Sequence, residues 1–498
     1  MPQPSTLLCA FAGDPQATAL VTQASQLTFG ELDLQANRLG NALLALGLKP
    51  GDLFAFLMPN APEILLAYIA CARTGIVGLP LSQRITAPEL LYQLGHAHAK
   101  AMWCDASYAH LLPTPQQRSR LPVAHWLGPE LLRASANACA TPPPSPPDES
   151  SPYCVMFTGG TTGTSKAAVL SHRSWRCVFE TSIAQWGLTA QDRHLITLPM
   201  SHAAWYTAGA SLLAGGRVTL VRQWDPRQVL ELIEAHRITT LNMIPTMLND
   251  LIHAQRDCRR DVSSVRLLTV AGSVLPVATY QQAREIFGEA IGNVYGLTEL
   301  AGPVTFLLPE HMRLGKFNSV GKIGAFIEMA LLDDDGNPVQ GGRRGELGLA
   351  GPQVTLGYLN AEQETRSAFS GRWFRTGDIA ELDDEGFLYI VDRRKDMIKT
   401  GGFNVYPSEV EQALYDHPQV LEAAVIGLPD EKWSEAVHAV VVTQPGATVT
   451  DADLIAHCRA RMAGYKAPKA VHFMAQLPRT RFGKFDKALL RQRLLGLG

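Results

Sequence analysis

Along the first 390 residues, short apolar runs alternate with segments in which apolar residues recur at helical spacing. Residues 29–48 have that helical spacing and predict an amphipathic helix, whereas the apolar run 53–57 predicts a buried strand. Residues 64–72 are apolar throughout and are followed at once by Arg73. Because crossing a bilayer takes about 20 residues, we interpret this segment as a core helix. The alternation as a whole predicts an α/β fold.

Two later stretches differ from this pattern. Residues 136–152 (ANACATPPPSPPDESSP) are rich in proline and serine, which favours an exposed linker. After about residue 395, helical spacing is mixed with strand-like runs, at 410–415, 421–426, 437–442 and 451–462. We therefore predict a large N-terminal domain of several α/β subdomains over residues 1–394 and a small α+β domain over residues 395–498.

Composition and charge exclude several classes of partner. The 498 residues are 46% hydrophobic and 18% charged, and the formal net charge of −2 gives no basic excess for nucleic acid or an anionic membrane. No basic residue precedes Arg38, which argues against a secretory signal, and the eight cysteines form no C-x-x-C pair. These features predict a cytoplasmic protein with reduced thiols, and they leave its oligomeric state open.

A glycine- and threonine-rich segment gives the strongest local indication of chemistry. Residues 157–172 read FTGGTTGTSKAAVLSH and lie between a strand-like run and an apolar run. Glycines let backbone N–H groups approach phosphate oxygens, hydroxyls add donors and a lysine adds charge. The candidate phosphate-binding residues are Thr158, Gly159, Gly160, Thr161, Thr162, Gly163 and Lys166. The spacing is not that of a Walker loop, and the alternative interpretation is a flexible, hydroxyl-rich hairpin.

Three further segments carry polar groups suited to a nucleotide. In NVYGLTE (293–299), Gly296 permits a tight turn, Thr298 can donate to phosphate and Glu299 offers a hard oxygen to Mg²⁺. In RTGD (375–378) and the DRRKDMIKTGG segment that follows, Asp378 can accept from both ribose hydroxyls and Arg393 can donate to the sugar. Near the C-terminus, Gly483 frees the backbone beside Lys484. Taken singly, each segment also fits a solvated loop or a surface lysine.

Together, in this order, the four segments resemble the adenylate-forming superfamily of acyl-CoA synthetases, stand-alone adenylation domains and beetle luciferases. The resemblance runs from near residue 27 to about residue 493. The family's phosphate loop reads Y-T-S-G-T-T-G-x-P-K-G, and this chain departs from it at Phe157, Gly159, Ser165 and Ala167. The change at Gly159 removes a hydroxyl and the change at Ser165 removes a rigid turn, while Lys166 is retained.

The resemblance implies roles for further residues. Ala271, Gly272 and Ser273 correspond to an adenine-binding loop, and Tyr295 belongs to the nucleotide site. His202, Trp205 and Ala301 correspond to the acyl pocket, where His202 and Trp205 also fit plain core packing. The small domain is mobile in the family, with Lys395 as its hinge. Rotation about that hinge withdraws Lys484 and presents Lys399, Gly401 and Gly402 to the tunnel for the pantetheine arm of CoA.

The resemblance also implies a two-step reaction with ATP, Mg²⁺ and CoA. A carboxylate attacks the α-phosphate and releases pyrophosphate, with Lys484 bridging the two anions, and a thiol then takes the acyl group. No acidic residue appears in residues 203–206, where amino-acid-activating relatives carry an aspartate, and no basic residue appears there for a second carboxylate. The sequence therefore predicts a neutral fatty or aryl acid. Two alternatives stay open: a ligase that loads a carrier protein, and a non-catalytic adenylate-binding protein.

Overall fold

The computed structural model describes residues 7–8, 11, 13–144, 147–158, 165–202, 204–272, 275–339, 341, 343–479 and 485–496. The helices in this part of the chain are α1 (Phe29–Ala45), α2 (Pro62–Thr74), α3 (Ala87–His96), α4 (Pro115–Arg118), α5 (Glu130–Ser135), α6 (His172–Trp186), α7 (Ala204–Leu213), α8 (Pro226–His236), α9 (Pro245–Asp257), α10 (Val277–Phe287), α11 (Pro309–Arg313), α12 (Glu362–Ser367), α13 (Pro407–Tyr415), α14 (Asp451–Arg459) and α15 (Lys487–Leu494).

The strands fall into three successive groups along the chain. The first group is β1 (Thr18–Val21), β2 (Gln26–Thr28), β3 (Leu53–Leu57), β4 (Val77–Pro80), β5 (Ala101–Cys104), β6 (His125–Leu127), β7 (Pro152–Phe157), β8 (Ala167–Ser171), β9 (Arg193–Ile196), β10 (Arg217–Leu220), β11 (Thr240–Met243), β12 (Leu267–Val270), β13 (Ile291–Leu297), β14 (Gly302–Leu307) and β15 (Lys322–Ile323). The second is β16 (Glu328–Leu332), β17 (Arg344–Ala350), β18 (Gly357–Tyr358), β19 (Phe369–Ser370), β20 (Trp373–Leu382) and β21 (Leu388–Arg393). The third is β22 (Ile398–Thr400), β23 (Phe403–Val405), β24 (Val420–Asp430), β25 (Ser434–Thr443) and β26 (Ala470–Phe473).

Two mixed sheets form the body of the large lobe. One has the strand order β15-β14-β13-β12-β11-β9-β10-β1-β2, and the other has the order β18-β8-β7-β4-β3-β5-β6. Their inner strands are parallel, and antiparallel pairs such as β1–β2 and β7–β8 close their edges. Parallel strands are apolar throughout when helices cover both faces, which explains runs such as LFAFL in β3.

Helix α2 lies at the centre of this body. Pro62 begins it, Gly75 ends it in the left-handed conformation at φ 73°, and its residues from Ile64 onward are all buried. Within it, the Tyr68 hydroxyl donates to the carbonyl of Met200 at 2.8 Å, while the Tyr68 carbonyl accepts from the Tyr153 hydroxyl at 3.1 Å. The segment interpreted as a core helix therefore connects elements of both sheets, and among the described residues no helix is long and apolar enough to span a membrane.

A third sheet, built from the antiparallel strands β16, β17, β19, β20 and β21, follows the two mixed sheets. The sequence pattern predicted a continued alternation of strands and helices here, but the one α-helix among the described residues of this stretch is the short α12. Turn-forming sequences such as DDDGNP (333–338) and DDEG (383–386) separate the strands closely. Since such turns leave too few residues for helices, the strands pair as antiparallel neighbours.

The last hundred or so residues form the predicted small α+β unit. Its sheet has the order β23-β22-β25-β24, with β26 added in parallel beside β25. Alternate residues of β24 face opposite sides, so that Ala423 and Val425 pack with α13 and α14 while Ala424 and Ile426 pack with Leu490 of α15. The predicted fold class, a large α/β lobe followed by a small α+β lobe, is confirmed; the boundary at residue 395 stays a prediction.

Candidate active site

The carboxylate of Asp378 is the centre of one buried polar cluster. Asp378 lies on β20 directly opposite Arg393 on β21, and its Oδ1 accepts from the Arg393 Nε at 2.9 Å. Its Oδ2 accepts from the Tyr295 hydroxyl at 2.6 Å. Burial, and then the Asp378 charge, raise the pKa of Tyr295 well above its usual range, so the phenol stays protonated and donates. Each carboxylate oxygen has a second lone pair, so Asp378 can still accept from ribose hydroxyls as the sequence predicts.

The two ends of the glycine-rich loop are held together by β7 and β8. These strands pair antiparallel, with Phe157 opposite Ala167. The Thr158 N–H donates to the carbonyl of Lys166 at 2.7 Å, and the Ser165 hydroxyl donates to the carbonyl of Thr158. The Ser165 hydroxyl thus closes the turn at the position where the family's loop has a rigid proline. Gly159, Gly160, Thr161, Thr162 and Gly163 lie outside the described residues.

A second cluster joins Lys166 to Glu299 through Tyr358. The Tyr358 hydroxyl donates to Oε1 of Glu299 at 2.9 Å, and Nζ of Lys166 lies 4.9 Å from the centre of the Tyr358 ring. Burial, and then the Glu299 charge, raise the pKa of Tyr358, which keeps its hydroxyl protonated. Strand β18 holds Tyr358 in place, because it pairs with β8 directly beyond the loop. The two groups that the sequence assigns to phosphate and to Mg²⁺ therefore flank one tyrosine.

The turn that carries Glu299 needs glycine on either side. A Cβ at Gly296 would lie 2.1 Å from the carbonyl oxygen of Gly302, so a larger residue cannot occupy that position. Thr298 and Glu299 then form a short 3₁₀ turn, which ends at Ala301 with φ 57°. The backbone of Glu299 is fixed as well, since its carbonyl accepts from the Thr355 N–H at 2.8 Å.

The predicted adenine-binding residues lie where parallel strands end. The Ala271 N–H donates to the carbonyl of Met243 at 3.0 Å, which places the end of β12 beside the end of β11. Gly272 has φ 86°, in the left-handed region. Open α/β sheets bind ligands at the carboxyl ends of their strands, so Ala271 and Gly272 are suitably placed. Ser273 lies outside the described residues.

The predicted acyl-pocket residues lie among aromatic side chains. His202 follows the carboxyl end of β9, and burial lowers its pKa to about 4, so its imidazole is neutral at pH 7. Trp205 is fully buried and stacks on Tyr68 with ring centres 4.2 Å apart, as part of the core. The next residue, Tyr206, faces the turn instead, because a Cβ at Gly302 would lie 3.3 Å from its ring. Sequence reasoning did not identify Tyr206 as a pocket residue.

The small lobe carries the predicted hinge and tunnel residues. Lys395 lies in a short 3₁₀ turn between β21 and β22. Gly401 and Gly402, with φ 57° and 83°, form the two-residue turn between β22 and β23, a turn that requires left-handed residues. Lys399 on β22 is exposed. The predicted catalytic Lys484 lies outside the described residues.

This geometry agrees with the family models that the chain matches. The model described as AMP-binding enzyme matches residues 10–359, and the model of the AMP-binding enzyme C-terminal domain matches residues 409–484. The chain belongs to the AMP-binding enzyme family. This assignment confirms the resemblance.

Several members of the AMP-binding enzyme family are similar over nearly their whole length. Feruloyl-CoA synthase of an Amycolatopsis species is 37% identical, covering 96% of each chain. Long-chain-fatty-acid–CoA ligase FadD13 of Mycobacterium tuberculosis is 34% identical over 94% of this chain and 93% of its own. ATP-bound MatB from Rhodopseudomonas palustris is 30% identical with a TM-score of 0.91 over 99% of both chains, whereas apo MatB gives 0.80 over 97%. The whole chain therefore matches the ATP-bound arrangement of MatB more closely than the apo one.

A magnesium ion fits the donors present only if the nucleotide supplies most of its ligands. Among the described residues, no group of three or more His, Cys, Asp or Glu side chains is placed to hold a metal. Glu299 uses Oε1 for Tyr358, and its other oxygen has no hydrogen-bond partner in the described part of the chain. Since Mg²⁺ is commonly bound by one or two carboxylates plus substrate phosphates, a single carboxylate beside Lys166 suits this AMP-binding enzyme.

Proposed function

We propose that this chain is an ATP-dependent acid–thiol ligase that converts a neutral aryl or fatty acid to its acyl-CoA thioester through an acyl-adenylate. The observation that carries the proposal is the pair of clusters around Asp378 and Glu299, built in one chain on separate sheets. Feruloyl-CoA synthase and the fatty-acid ligase FadD13 are CoA ligases by name and are similar over the whole chain.

In the first step, the acid's carboxylate oxygen forms a bond to the α-phosphorus as the bond to the β-phosphate oxygen breaks, releasing pyrophosphate. Two anions must meet, so preorganised positive charge lowers the main barrier. Asp378 and Arg393 would hold the ribose, and Lys166 the phosphates. A magnesium ion held by Glu299 would neutralise phosphate charge when bound.

Tyr358 orients both phosphate-side groups in this proposal. Its hydroxyl donates to one oxygen of Glu299, which would leave the second oxygen to bind a magnesium ion. Its ring face attracts the Lys166 ammonium, which limits the positions that this flexible side chain adopts. Thr298, in the same 3₁₀ turn as Glu299, would donate to a phosphate oxygen.

Lys484 supplies the remaining charge, bridging the carboxylate and the α-phosphate during adenylate formation. In the second step, rotation about Lys395 withdraws Lys484 and brings Lys399 and the Gly401–Gly402 turn to the site. The sulfur of CoA then attacks the adenylate carbonyl, loses its proton and displaces AMP. Both glycines lie at an exposed turn of the small lobe and have no side chains of their own to obstruct a thiol-bearing arm.

Pyrophosphate release tests the proposal. The full chain is mixed with ATP, Mg²⁺ and a panel of aryl and fatty acids, and pyrophosphate and AMP are measured with and without CoA. We expect acid-dependent pyrophosphate release in the absence of CoA, and acyl-CoA with stoichiometric AMP in its presence. No acid-dependent release with any member of the panel would support a non-catalytic adenylate-binding protein instead.

The identity of the thiol is tested in the same assay. Free CoA is replaced by a carrier protein with its phosphopantetheine arm attached, at equal thiol concentration. We expect free CoA to be the better acceptor, because the similar ligases named above are CoA ligases. Faster transfer to the carrier protein would identify a carrier-loading ligase and leave the adenylation step of the proposal intact.

A further inference from the structure

Asn242 is a buried side chain whose polar atoms have no hydrogen-bond partner among the described residues. It lies next to the carboxyl end of β11 and is 0% exposed. Neither its amide nitrogen nor its amide oxygen makes a hydrogen bond within the described part of the chain. Buried polar side chains are nearly always hydrogen-bonded, and leaving such groups unsatisfied destabilises the fold. A fully buried asparagine with both amide groups unpaired therefore indicates that a ligand supplies its partner.

The hydroxyl of Tyr206, beside Asn242, is a second buried polar group of this kind. Tyr206 is 2% exposed, and its hydroxyl also lacks a hydrogen-bond partner among the described residues. Burial raises the pKa of Tyr206, and the neighbouring Asn242 amide opposes that rise. The two side chains are thus close together, yet no hydrogen bond of normal geometry joins them. Both side chains can therefore still form hydrogen bonds with a third polar group.

This pair lies between the predicted adenine loop and the turn of Glu299. Met243, the residue after Asn242, accepts from the Ala271 N–H at 3.0 Å. On the other side, Tyr206 packs against Gly302, three residues beyond Glu299. Three residues span at most about 10 Å. In the proposed function the carboxylate of the acid lies beside Glu299. An acid about one ring and a short linker long would then place its far end at Asn242 and Tyr206.

The surroundings of the pair exclude charge and favour a flat ring. Burial is the main influence on the pKa of both His202 and Tyr206. A charged substituent would lose its hydration on entering such a buried site. The Trp186 ring lies 5.8 Å from both the Tyr206 and Phe306 rings, which provides aromatic walls.

We propose that Asn242 and Tyr206 form the polar end of the acyl pocket and select an aryl acid that carries a neutral hydroxyl group. An amide both donates and accepts, and so does a phenol, so one hydroxyl on the acid can satisfy both side chains at once. This inference rests on the proposed acid–thiol ligase function and narrows its substrate class from neutral fatty or aryl acids to hydroxylated aryl acids.

Matched acids test the proposal in the pyrophosphate assay. The probes are 4-hydroxycinnamic, 4-methoxycinnamic, cinnamic and octanoic acids. We expect kcat/KM for the hydroxylated acid to exceed that for cinnamic acid by roughly thirtyfold or more. The reason is that binding the analogue without a hydroxyl leaves the buried groups of the pocket unpaired. We expect Asn242→Leu to remove most of that preference and Tyr206→Phe to reduce it, with the KM for ATP unchanged in both variants.

Thermal stability separates this role from a structural one. Replacing an unsatisfied buried amide by an apolar side chain of similar size is nearly neutral or stabilising, so Asn242→Leu should keep or raise the Tm. Asn60→Leu is the matched control, because the Asn60 amide donates to the carbonyls of Leu198 and Val221, and its loss should lower the Tm.

Each outcome decides one of the two proposals. Equal use of cinnamic and hydroxycinnamic acids by the unmodified protein, or an unchanged preference in Asn242→Leu, would overturn the hydroxyl-selecting role while the ligase function stands. No acid-dependent pyrophosphate release with any of the four acids would instead remove the ligase function on which the inference rests.

Discussion

The proposed nucleotide side and the proposed acyl side of the active site are built in opposite ways. On the nucleotide side, charged groups already have protein partners: Asp378 holds Arg393 and Tyr295, and Glu299 accepts from Tyr358. On the acyl side, Asn242 and Tyr206 are buried without hydrogen-bond partners among the described residues, and His202 is neutral. One side is assembled before the ligand arrives, and the other is completed by it.

The difference follows from what each ligand brings. A nucleotide carries several charges, so its site needs fixed charges, and fixed charges need partners to stay desolvated. A neutral acid brings little charge, and its site can discriminate only through shape and a few hydrogen bonds. The proposed nucleotide side therefore suits a charged ligand, whereas the proposed acyl side suits a neutral one.

The largest effect is expected where the two sides meet. Lys484→Ala should slow adenylate formation by roughly a hundred- to a thousandfold, since losing a charged contact at developing charge costs about 3–4 kcal/mol. Thioester formation from supplied acyl-adenylate should be retained, because that step does not use Lys484. Both half-reactions are measured separately by pyrophosphate release and by acyl-CoA formation.

The matched control for that variant is Arg493→Ala, which removes an exposed positive charge from the last turn of α15. It should leave both half-reactions unchanged. Equal losses of the two half-reactions in Lys484→Ala would remove the bridging role.

The next largest effect tests the preassembled nucleotide side. Asp378→Asn should raise the KM for ATP by roughly ten- to a hundredfold, because hydrogen bonds to charged groups contribute about 1.5–3 kcal/mol. The KM for the acid should stay the same. Asp384→Asn removes a carboxylate from an exposed pair with Arg343 and should change neither constant, since exposed ion pairs contribute little. A rise in the acid KM alone would contradict the division between the two sides.

The sequence predicted the framework better than the pocket. The run 53–57 is strand β3 as predicted, and the helical spacing from residue 410 to 415 lies within α13, because burial on one face leaves a periodic pattern. The third sheet was not foreseen as a separate unit, since its short strands between turns have no long periodic signal.

The site residues also differ in how far the sequence predicts them. Asp378 and Glu299 lie in the short motifs RTGD and YGLTE, whose composition is unusual enough to draw attention. Asn242 lies in the strand sequence TLNM and reads as an ordinary buried position until its missing partners are seen. Tyr358 meets Glu299 across 59 residues of sequence, and no local pattern predicts such a contact.

A smaller effect is expected from the tyrosine that orients the phosphate side. Tyr358→Phe keeps the ring beside Lys166 but removes the hydroxyl that fixes Glu299. Losing one hydrogen bond to a charged group, about 1.5 kcal/mol, should weaken divalent-cation binding roughly tenfold. The readout is Mn²⁺ affinity, measured by electron paramagnetic resonance with the enzyme and a non-hydrolysable ATP analogue, so that it does not depend on turnover.

Tyr389→Phe is the control for that experiment. The Tyr389 hydroxyl donates to Asp383 at 3.1 Å, a similar contact outside both clusters. Its removal should leave Mn²⁺ affinity unchanged. Equal weakening in both variants would indicate a general loss of stability rather than orientation of Glu299.

The smallest effect concerns the neutrality of the acyl side and appears in stability rather than in activity. Burial lowers the pKa of His202 to about 4, from about 6.5 in an unfolded chain. As the pH falls below about 6.5, the unfolded chain binds a proton at this residue and the folded chain does not. The stabilisation is therefore complete above pH 6.5 and is lost progressively down to pH 4, by about 0.7 kcal/mol between pH 7 and pH 6. The KM for the acid should stay constant over that interval because the folded imidazole remains neutral.

His194, whose pKa burial also lowers to about 4, gives the comparison. His202→Asn and His194→Asn should each flatten the pH dependence of the free energy of unfolding. Denaturant titrations at pH 7 and pH 6 measure that slope, and a rise in the acid KM with a midpoint near pH 6.5 would mean that His202 is charged within the pocket and that the acyl side is not neutral.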